Sequence, residues 1–369
     1  MTKPLWVHTP LIYSQILSEG LDCDVYLKLD NLQPSQSFKY RGMSNVAQIA
    51  KAKSANAHLI IASAGNAGFA AACAAHAVDA KCTVYLPSGL NPRFLDGLRR
   101  EGANLIVGGK DYYEILLKAR AAAAVDKSSI EVSAYGDPNI WQGHASMVHE
   151  LSEDLNVKPD AIFCSVGGGG LLGGIVVGCQ QTGWDDVPIV ALETIGADCF
   201  YHSMQANRTP LLSDSPAPPF REGMTTFHDE GNGVEIVRLP SIDSVASSLG
   251  AASPAPGVVK MALQREGDVS CVLVPDGLSM QTALSFAGLD HKFLVELACS
   301  TTLVPAYRRT VFETLLPPKA EGRRRTVVFI VCGGSKISLD DMKKYQNMVE
   351  LHSGPWGVWI EGKQVEIQK

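Results

Sequence analysis

The stretch Ser37-Phe38-Lys39-Tyr40-Arg41-Gly42 sets a lysine between two aromatic residues, close to a serine and just ahead of Arg-Gly. Lysine is ordinarily solvated, and its amine becomes nucleophilic only where burial or charged neighbours favour the neutral form. Such an amine suits a Schiff base with an aldehyde. The hexapeptide alone fits a surface lysine on a strand-to-helix turn equally well. Three glycine-bearing segments further along the chain weigh on the choice.

The first is Gly167-Gly168-Gly169-Gly170-Leu171-Leu172-Gly173-Gly174, which follows the apolar run Ala161 to Val166 and opens an apolar helical stretch. Backbone without side chains lets several N–H groups converge on an anion, and a helix N-terminus adds the positive end of its dipole. The segment has neither the Gly-x-Gly-x-x-Gly spacing of a dinucleotide fold nor the Lys-Ser/Thr ending of a P-loop. A small phosphate ester without a nucleotide fits better. Close helix–strand packing would be satisfied by one glycine. The second segment, Ser63-Ala64-Gly65-Asn66-Ala67-Gly68, lies at a strand end, where open parallel sheets bind ligands. Ser63 and the N–H groups after it could hold a carboxylate, and Asn66 could offer its amide to a ring hydroxyl; a plain helix N-cap is the alternative. The third, Cys332-Gly333-Gly334-Ser335, ends the strand Val327 to Val331, which reads as the final one. There Cys332 is on base rates a buried thiol.

Behind these segments the pattern alternates strand and helix. Strands are expected over Asp24 to Leu29, His58 to Ala62, Cys82 to Leu86, Leu105 to Val107, Ala161 to Val166 and Val187 to Glu193. Helices are expected over Met43 to Lys53, Phe69 to Val78, Leu95 to Glu101, Asp111 to Val125, Trp141 to Leu155, Pro256 to Gln264 and Met280 to Ala287, with one helix from Phe293 to Phe312 broken or bent near Pro305. The fold class is therefore α/β, with mostly parallel sheets and helices on both faces. Residues 205–240, rich in Pro, Ser, Asp and Gly, read as a surface excursion, disordered or flap-like.

Composition narrows the rest. The 369 residues are 46% hydrophobic and 19% charged, enough for a full core and two lobes, and the net charge of −6 argues against a nucleic-acid or anionic-membrane surface. Leu59 to Val78 is nearly apolar enough to mimic a membrane span, but Gly65, Asn66, Gly68 and His76 interrupt it. The first residues lack the apolar centre of a signal peptide. Nine cysteines without a Cys-x-x-Cys pair read as reduced thiols in a cytoplasmic setting.

Taken together, Lys39, the Asn66 loop, the tetraglycine loop and Cys332-Gly333-Gly334-Ser335 resemble the fold-type II pyridoxal-phosphate enzymes. Within these, the likeness is to the serine/threonine dehydratase (ammonia-lyase) family. It extends to Val25-Tyr26-Leu27-Lys28, Gln33-Pro34-Ser35, Ile140 to Ser146 and Glu193-Thr194-x-Gly196-Ala197. The resemblance implies two open twisted sheets, with a small domain at 42–140 inserted into a large one made of 1–41 and 141–369. It implies that Lys39 holds pyridoxal 5'-phosphate and acts as the base at Cα. Phe38 would flank the ring, Asn66 would bond its 3-oxygen, Gly167, Gly168, Gly169, Gly170 and Leu171 would cradle the phosphate, and Cys332 would face the ring nitrogen. Ser63, Ala64, Gly65, Asn66, Ala67 and Tyr135 would surround the substrate. A potassium site would fall on Glu193, Cys199 and the carbonyls of Gly168, Ala197, Leu249 and Ala251. The implied partner is a small amino acid, the implied assembly a homodimer.

The sequence departs from the family's pattern in places. Ala134-Tyr135-Gly136 stands where Pro-Phe-Asp is usual, Glu296-Leu297-Ala298-Cys299-Ser300 where Glu-Pro-Ala-Cys-Gly is, Cys199 where a serine is, and Lys336 where an asparagine is common. The expected reaction is α,β-elimination from a β-hydroxy amino acid to a 2-oxo acid and ammonia, with an altered substrate preference. β-Replacement and racemisation are the alternatives. Ala64 disfavours racemisation, which needs a second acid–base group at that position.

Overall fold

The computed structural model describes residues 3–109, 112–208, 221–317 and 323–368. They form two main sheets. The larger has eight strands in the order Leu11–Tyr13, Asp24–Lys28, Thr326–Ile330, Ala161–Ser165, Ile189–Thr194, Val269–Val274, Trp356–Ile360 and Lys363–Ile367. Its central pairings are parallel, and antiparallel strands close both edges. Central strands covered on both faces need unbroken apolar runs, and every residue of Ala161–Ser165 and Thr326–Ile330 is buried. The smaller sheet runs Asn104–Val107, Lys81–Leu86, His58–Ala62, Ser129–Glu131, all parallel. Its main core is drawn from buried residues between Tyr40 and Ile140.

Three helices lie side by side at the site, Lys39–Lys53, Pro138–Asp154 and Gly170–Thr182; the first and third carry Lys39, Gly170 and Leu171, and helix Asn66–Ala77 carries Asn66 and Ala67. Glycines set their spacing. A Cβ on Gly42 would come within 2.7 Å of the His144 ring, and one on Gly174 within 2.2 Å of His144 Cβ. Backbones approach this closely only where no side chain intervenes. Charge fastens the first helix as well. The buried Arg41 guanidinium donates to Asp30 Oδ2 at 2.7 Å and Oδ1 at 2.8 Å, and to Glu150 Oε1 at 2.6 Å and Oε2 at 2.7 Å. Lys28 Nζ reaches Glu150 Oε2 at 2.7 Å. A buried guanidinium between two carboxylates is tolerable because both faces of its fork are satisfied.

Several expectations need correction. The stretch 205–240 is not uniformly irregular. Cys199–Asn207 is a helix, and Thr225–Asp229 pairs with Val234–Arg238 in a hairpin whose second strand buries Val234, Ile236 and Val237; residues 209–220 lie outside the described residues. The expected helix Phe293 to Phe312 is two, Leu297–Tyr307 and Arg309–Leu315, with Pro305 in the last turn of the first and a break at Arg308. Val327 to Val331 is not the final strand: helix Leu339–Leu351 and the hairpin Trp356–Ile367 follow it. Asp111, at the start of an expected helix, lies outside the described residues; the helix runs Tyr112–Val125.

Candidate active site

Lys39 begins its helix, and the chain before it is zipped to the Cys-Gly-Gly-Ser loop. Phe38 N–H donates to the Cys332 carbonyl at 3.0 Å, and Ser37 bridges to Gly333. Half-buried Lys39 Nζ donates to the Ala134 carbonyl at 3.2 Å and stands 5.1 Å from the Phe38 ring centre. Burial lowers its pKa to about 8, helped by the like charge of Lys336 and opposed by Cys332 and Glu296. A neutral amine, ready to condense with an aldehyde, is thus accessible near pH 8. The Phe38 ring rests on His144 at 4.8 Å between centres. His144 Nδ1 accepts the Gly42 N–H at 3.2 Å, and burial together with Lys39 and Arg41 holds its pKa well below the usual histidine range. It is a neutral support.

The other segments meet this lysine. The Cys332 thiol is buried, with Ser165 Oγ at 3.6 Å, and Gly333 N–H donates to Cys299 Sγ at 3.3 Å. Asn66 Oδ1 accepts both the N–H and the hydroxyl of Ser335 at 2.9 Å, and its amide donates to Glu296 Oε1 at 3.0 Å and Ser248 Oγ at 3.3 Å. The Asn66 side chain is therefore oriented by four groups. Helix Asn66–Ala77 starts at Gly65 without a side-chain cap, and Ser63 Oγ accepts the Gly65 N–H at 3.3 Å. Ala64 and Ala67 place only methyl groups in this loop.

The tetraglycine segment opens helix Gly170–Thr182, also without a side-chain cap, with Gly169 left-handed at φ 97°. A Cβ on Gly167 would lie 2.8 Å from the Leu249 carbonyl oxygen, and one on Gly168 2.4 Å from the Tyr135 ring. Tyr135 thus lies on the loop, its hydroxyl donating to the Ser253 carbonyl at 3.2 Å. Beyond it is a cavity of about 610 Å³ with Arg120, Glu131, Trp141 and Asn232 on its walls. Behind the loop, Glu193 Oε1 and Oε2 accept the N–H groups of Phe200 at 3.0 Å and Tyr201 at 2.6 Å. Burial and the neighbouring Asp198 raise its pKa well above the carboxylate range. Cys199 Sγ donates to the Gly167 carbonyl at 3.7 Å.

A half-buried amine, an uncapped helix start bare of side chains and a thiol at a strand end are together groups that could hold a phosphorylated aldehyde. The family model described as pyridoxal-phosphate dependent enzyme matches residues 3–333, and the chain belongs to that family. It is 36% identical to the L-serine dehydratase/L-threonine deaminase of Mus musculus, over 96% of this chain and 98% of that one. It is 37% identical to the protein of the same name from Homo sapiens, over 95% and 97%. Among solved structures, the L-serine ammonia-lyase of the fungus Rhizomucor miehei superposes with a TM-score of 0.78 at 29% identity, covering 94% of this chain and 99% of that one. The fold is that of the fold-type II pyridoxal-phosphate enzymes.

The residues fit the cofactor: the cradle at Gly167 and Gly168 has no room for a Cβ, and its amides start a helix that no side chain caps. Sequence reasoning assigned no role to Glu296, Ser335, Ser248 or His144. Glu296 is buried at the start of the apolar helix Leu297–Tyr307, and an ionisable group so placed needs partners.

Proposed function

We propose that this protein catalyses α,β-elimination from a β-hydroxy amino acid of the L-serine/L-threonine type, yielding a 2-oxo acid and ammonia. The observation that carries the reading is Lys39, its amine shifted to about 8 by burial and held against Ala134 beside a helix-opening glycine loop. Bound pyridoxal phosphate supplies an electron sink for charge developing at Cα. Lys39 would hold that cofactor through its Nζ and, as a free amine, would take the proton from Cα of the substrate. Phe38 would flank the ring, the amides from Gly167 to Leu171 would receive the phosphate, and Asn66 would reach the ring's 3-oxygen by exchanging its long 3.3 Å bond to Ser248 Oγ for it. Ser63, Ala64, Gly65 and Ala67 present the substrate carboxylate with backbone amides and a hydroxyl, and Tyr135 bounds the pocket. Cys332 can offer the ring nitrogen only a weak sulfur hydrogen bond and no carboxylate, which favours prompt loss of the β-hydroxyl as water. The enamine released hydrolyses to the 2-oxo acid and ammonia. Ala64 offers no proton donor, which weighs against racemisation.

The proposal includes a potassium ion at Glu193, Cys199 and the carbonyls of Gly168, Ala197, Leu249 and Ala251. The buried Glu193 carboxyl, with Asp198 adjacent, is a place where a cation would relieve charge. It also includes a division into 42–140 and the remainder, supported by the separate core between Tyr40 and Ile140, a homodimer, and a reducing, cytoplasmic setting for nine free thiols. Borohydride reduction of the holoprotein followed by peptide mapping tests the attachment point. The pyridoxyl group is expected on Lys39; finding it on Lys28 or Lys336 would overturn the site.

A further inference from the structure

Lys336 directly follows the Cys-Gly-Gly-Ser loop, and its N–H is tied to Glu296 Oε1 at 2.9 Å. Its side chain then reaches over the Ser63–Gly68 loop: a Cβ built on Gly65 would lie 3.5 Å from Nζ and 3.8 Å from Cε. The ammonium donates to Ser247 Oγ at 3.1 Å, a neutral partner, and no ion pair joins it to a carboxylate among the described residues. A half-buried ammonium bonded to one hydroxyl keeps two donors and its full charge for a ligand. Lys336 also forms part of the wall of a cavity of about 270 Å³ with Ser247, Ser248, Glu296 and Asp341, so its side chain is not sealed into the core.

The charges around the loop show why a cation belongs there. Glu296 places a carboxylate below it, its oxygens taken up by the Asn66 amide, the Ser248 hydroxyl and the Lys336 N–H. That negative charge would repel an incoming carboxylate. The uncapped start of helix Asn66–Ala77 offsets it in part with free amides. Lys336, on the loop itself, offsets it directly.

We propose that Lys336 is a substrate-binding residue, whose ammonium takes the α-carboxylate of the amino acid over the Ser63–Gly68 loop and makes the enzyme select free amino acids over those masked as amides. The inference rests on the elimination reading and deepens it by naming the charge that recognises the substrate. Asparagine, common in the family at this position, would supply a hydrogen bond but no charge.

The test uses the holoprotein and two probes that cannot undergo elimination, glycine and glycinamide, neither of which has a β-leaving group. Their dissociation constants are measured by calorimetry for the parent, Lys336→Met and Lys336→Arg. Loss of one charge-assisted contact is expected to weaken glycine about tenfold in Lys336→Met. Glycinamide should be unaffected, and Lys336→Arg should recover most of the glycine affinity. Equal weakening of both probes would show that Lys336 only props the loop through Ser247, and unchanged glycine affinity would show that its charge does not reach the subsite; either overturns the proposal. A parent that forms no 2-oxo acid from any β-hydroxy amino acid would instead overturn the elimination reading, which keeps the two failures apart.

Discussion

Lys39 owes its chemistry to placement. Burial brings its pKa from 10.5 to about 8, so in cofactor-free protein its reaction with an acylating reagent should rise through pH 7 to 9, read by mass spectrometry of the Lys39 peptide. A midpoint near 10.5 would contradict the burial argument. The sign carries over to stability: between about 8 and 10.5 the unfolded chain binds a proton that the folded chain lacks. This group therefore makes the cofactor-free protein more stable as pH rises through that window. Cys332 supports a second prediction. A thiol and a hydroxyl are both weak partners for a ring nitrogen compared with a carboxylate, so Cys332→Ser should retain most elimination activity. Cys332→Asp should bind cofactor and divert turnover toward proton exchange at Cα, followed by deuterium uptake alongside 2-oxo acid. An aspartate variant that eliminates as well as the parent would show that this position does not steer the reaction. At this scale the sequence was informative where residue type alone carries chemistry: a lysine between aromatics, glycines in succession, a thiol at a strand end. It was silent on Glu296 and Ser335, whose hold on Asn66 exists only through contacts 230 and 269 residues apart.

The elements act as spacers. Helix Pro138–Asp154 separates the lysine helix from the glycine-loop helix, and His144 touches both through Gly42 and Gly174. Gly174→Ala would place a Cβ 2.2 Å from His144 Cβ, which the backbones can relieve only by moving apart. Overpacking of this kind typically costs about 1–3 kcal/mol, so the urea midpoint should fall. Cofactor affinity should fall with it, because the amide cradle and Lys39 separate; a drop in stability with unchanged cofactor affinity would show that the helices do not couple the two. The parallel strands at the site were legible because fully buried runs such as Ala161–Ser165 are apolar up to the terminal Ser165. The hairpin at 225–238 was not, because strand Thr225–Asp229 is almost wholly exposed and reads as polar chain. Only its pairing with Val234–Arg238 makes it a strand. The C-terminal hairpin was missed for a related reason: its outer strand Lys363–Ile367 is a mostly exposed edge, and Trp356–Ile360 pairs with the Val269–Val274 strand, which was itself missed.

Across the whole molecule, two sheets are joined at the lysine segment and the helices beside it. No helix among the described residues is long and apolar enough to cross a membrane. If a potassium ion braces the glycine loop from behind, replacing potassium by a bulky organic cation should lower both activity and cofactor retention, and Glu193→Ala should weaken retention in either salt. Equal activity in both salts would remove the ion from the account. The departures at Tyr135 and Gly136 are expected to shift preference away from L-serine, since a hydroxyl-bearing ring and a missing carboxylate alter the pocket beside Lys39. The most direct measurement is paired quantification of 2-oxo acid and ammonia from a panel of β-hydroxy L-amino acids, for the holoprotein and its Lys39→Ala variant. The account predicts equimolar 2-oxo acid and ammonia from at least one of them, a best substrate other than L-serine, and no product from Lys39→Ala. No 2-oxo acid from any β-hydroxy amino acid, or undiminished formation by the variant, would contradict it.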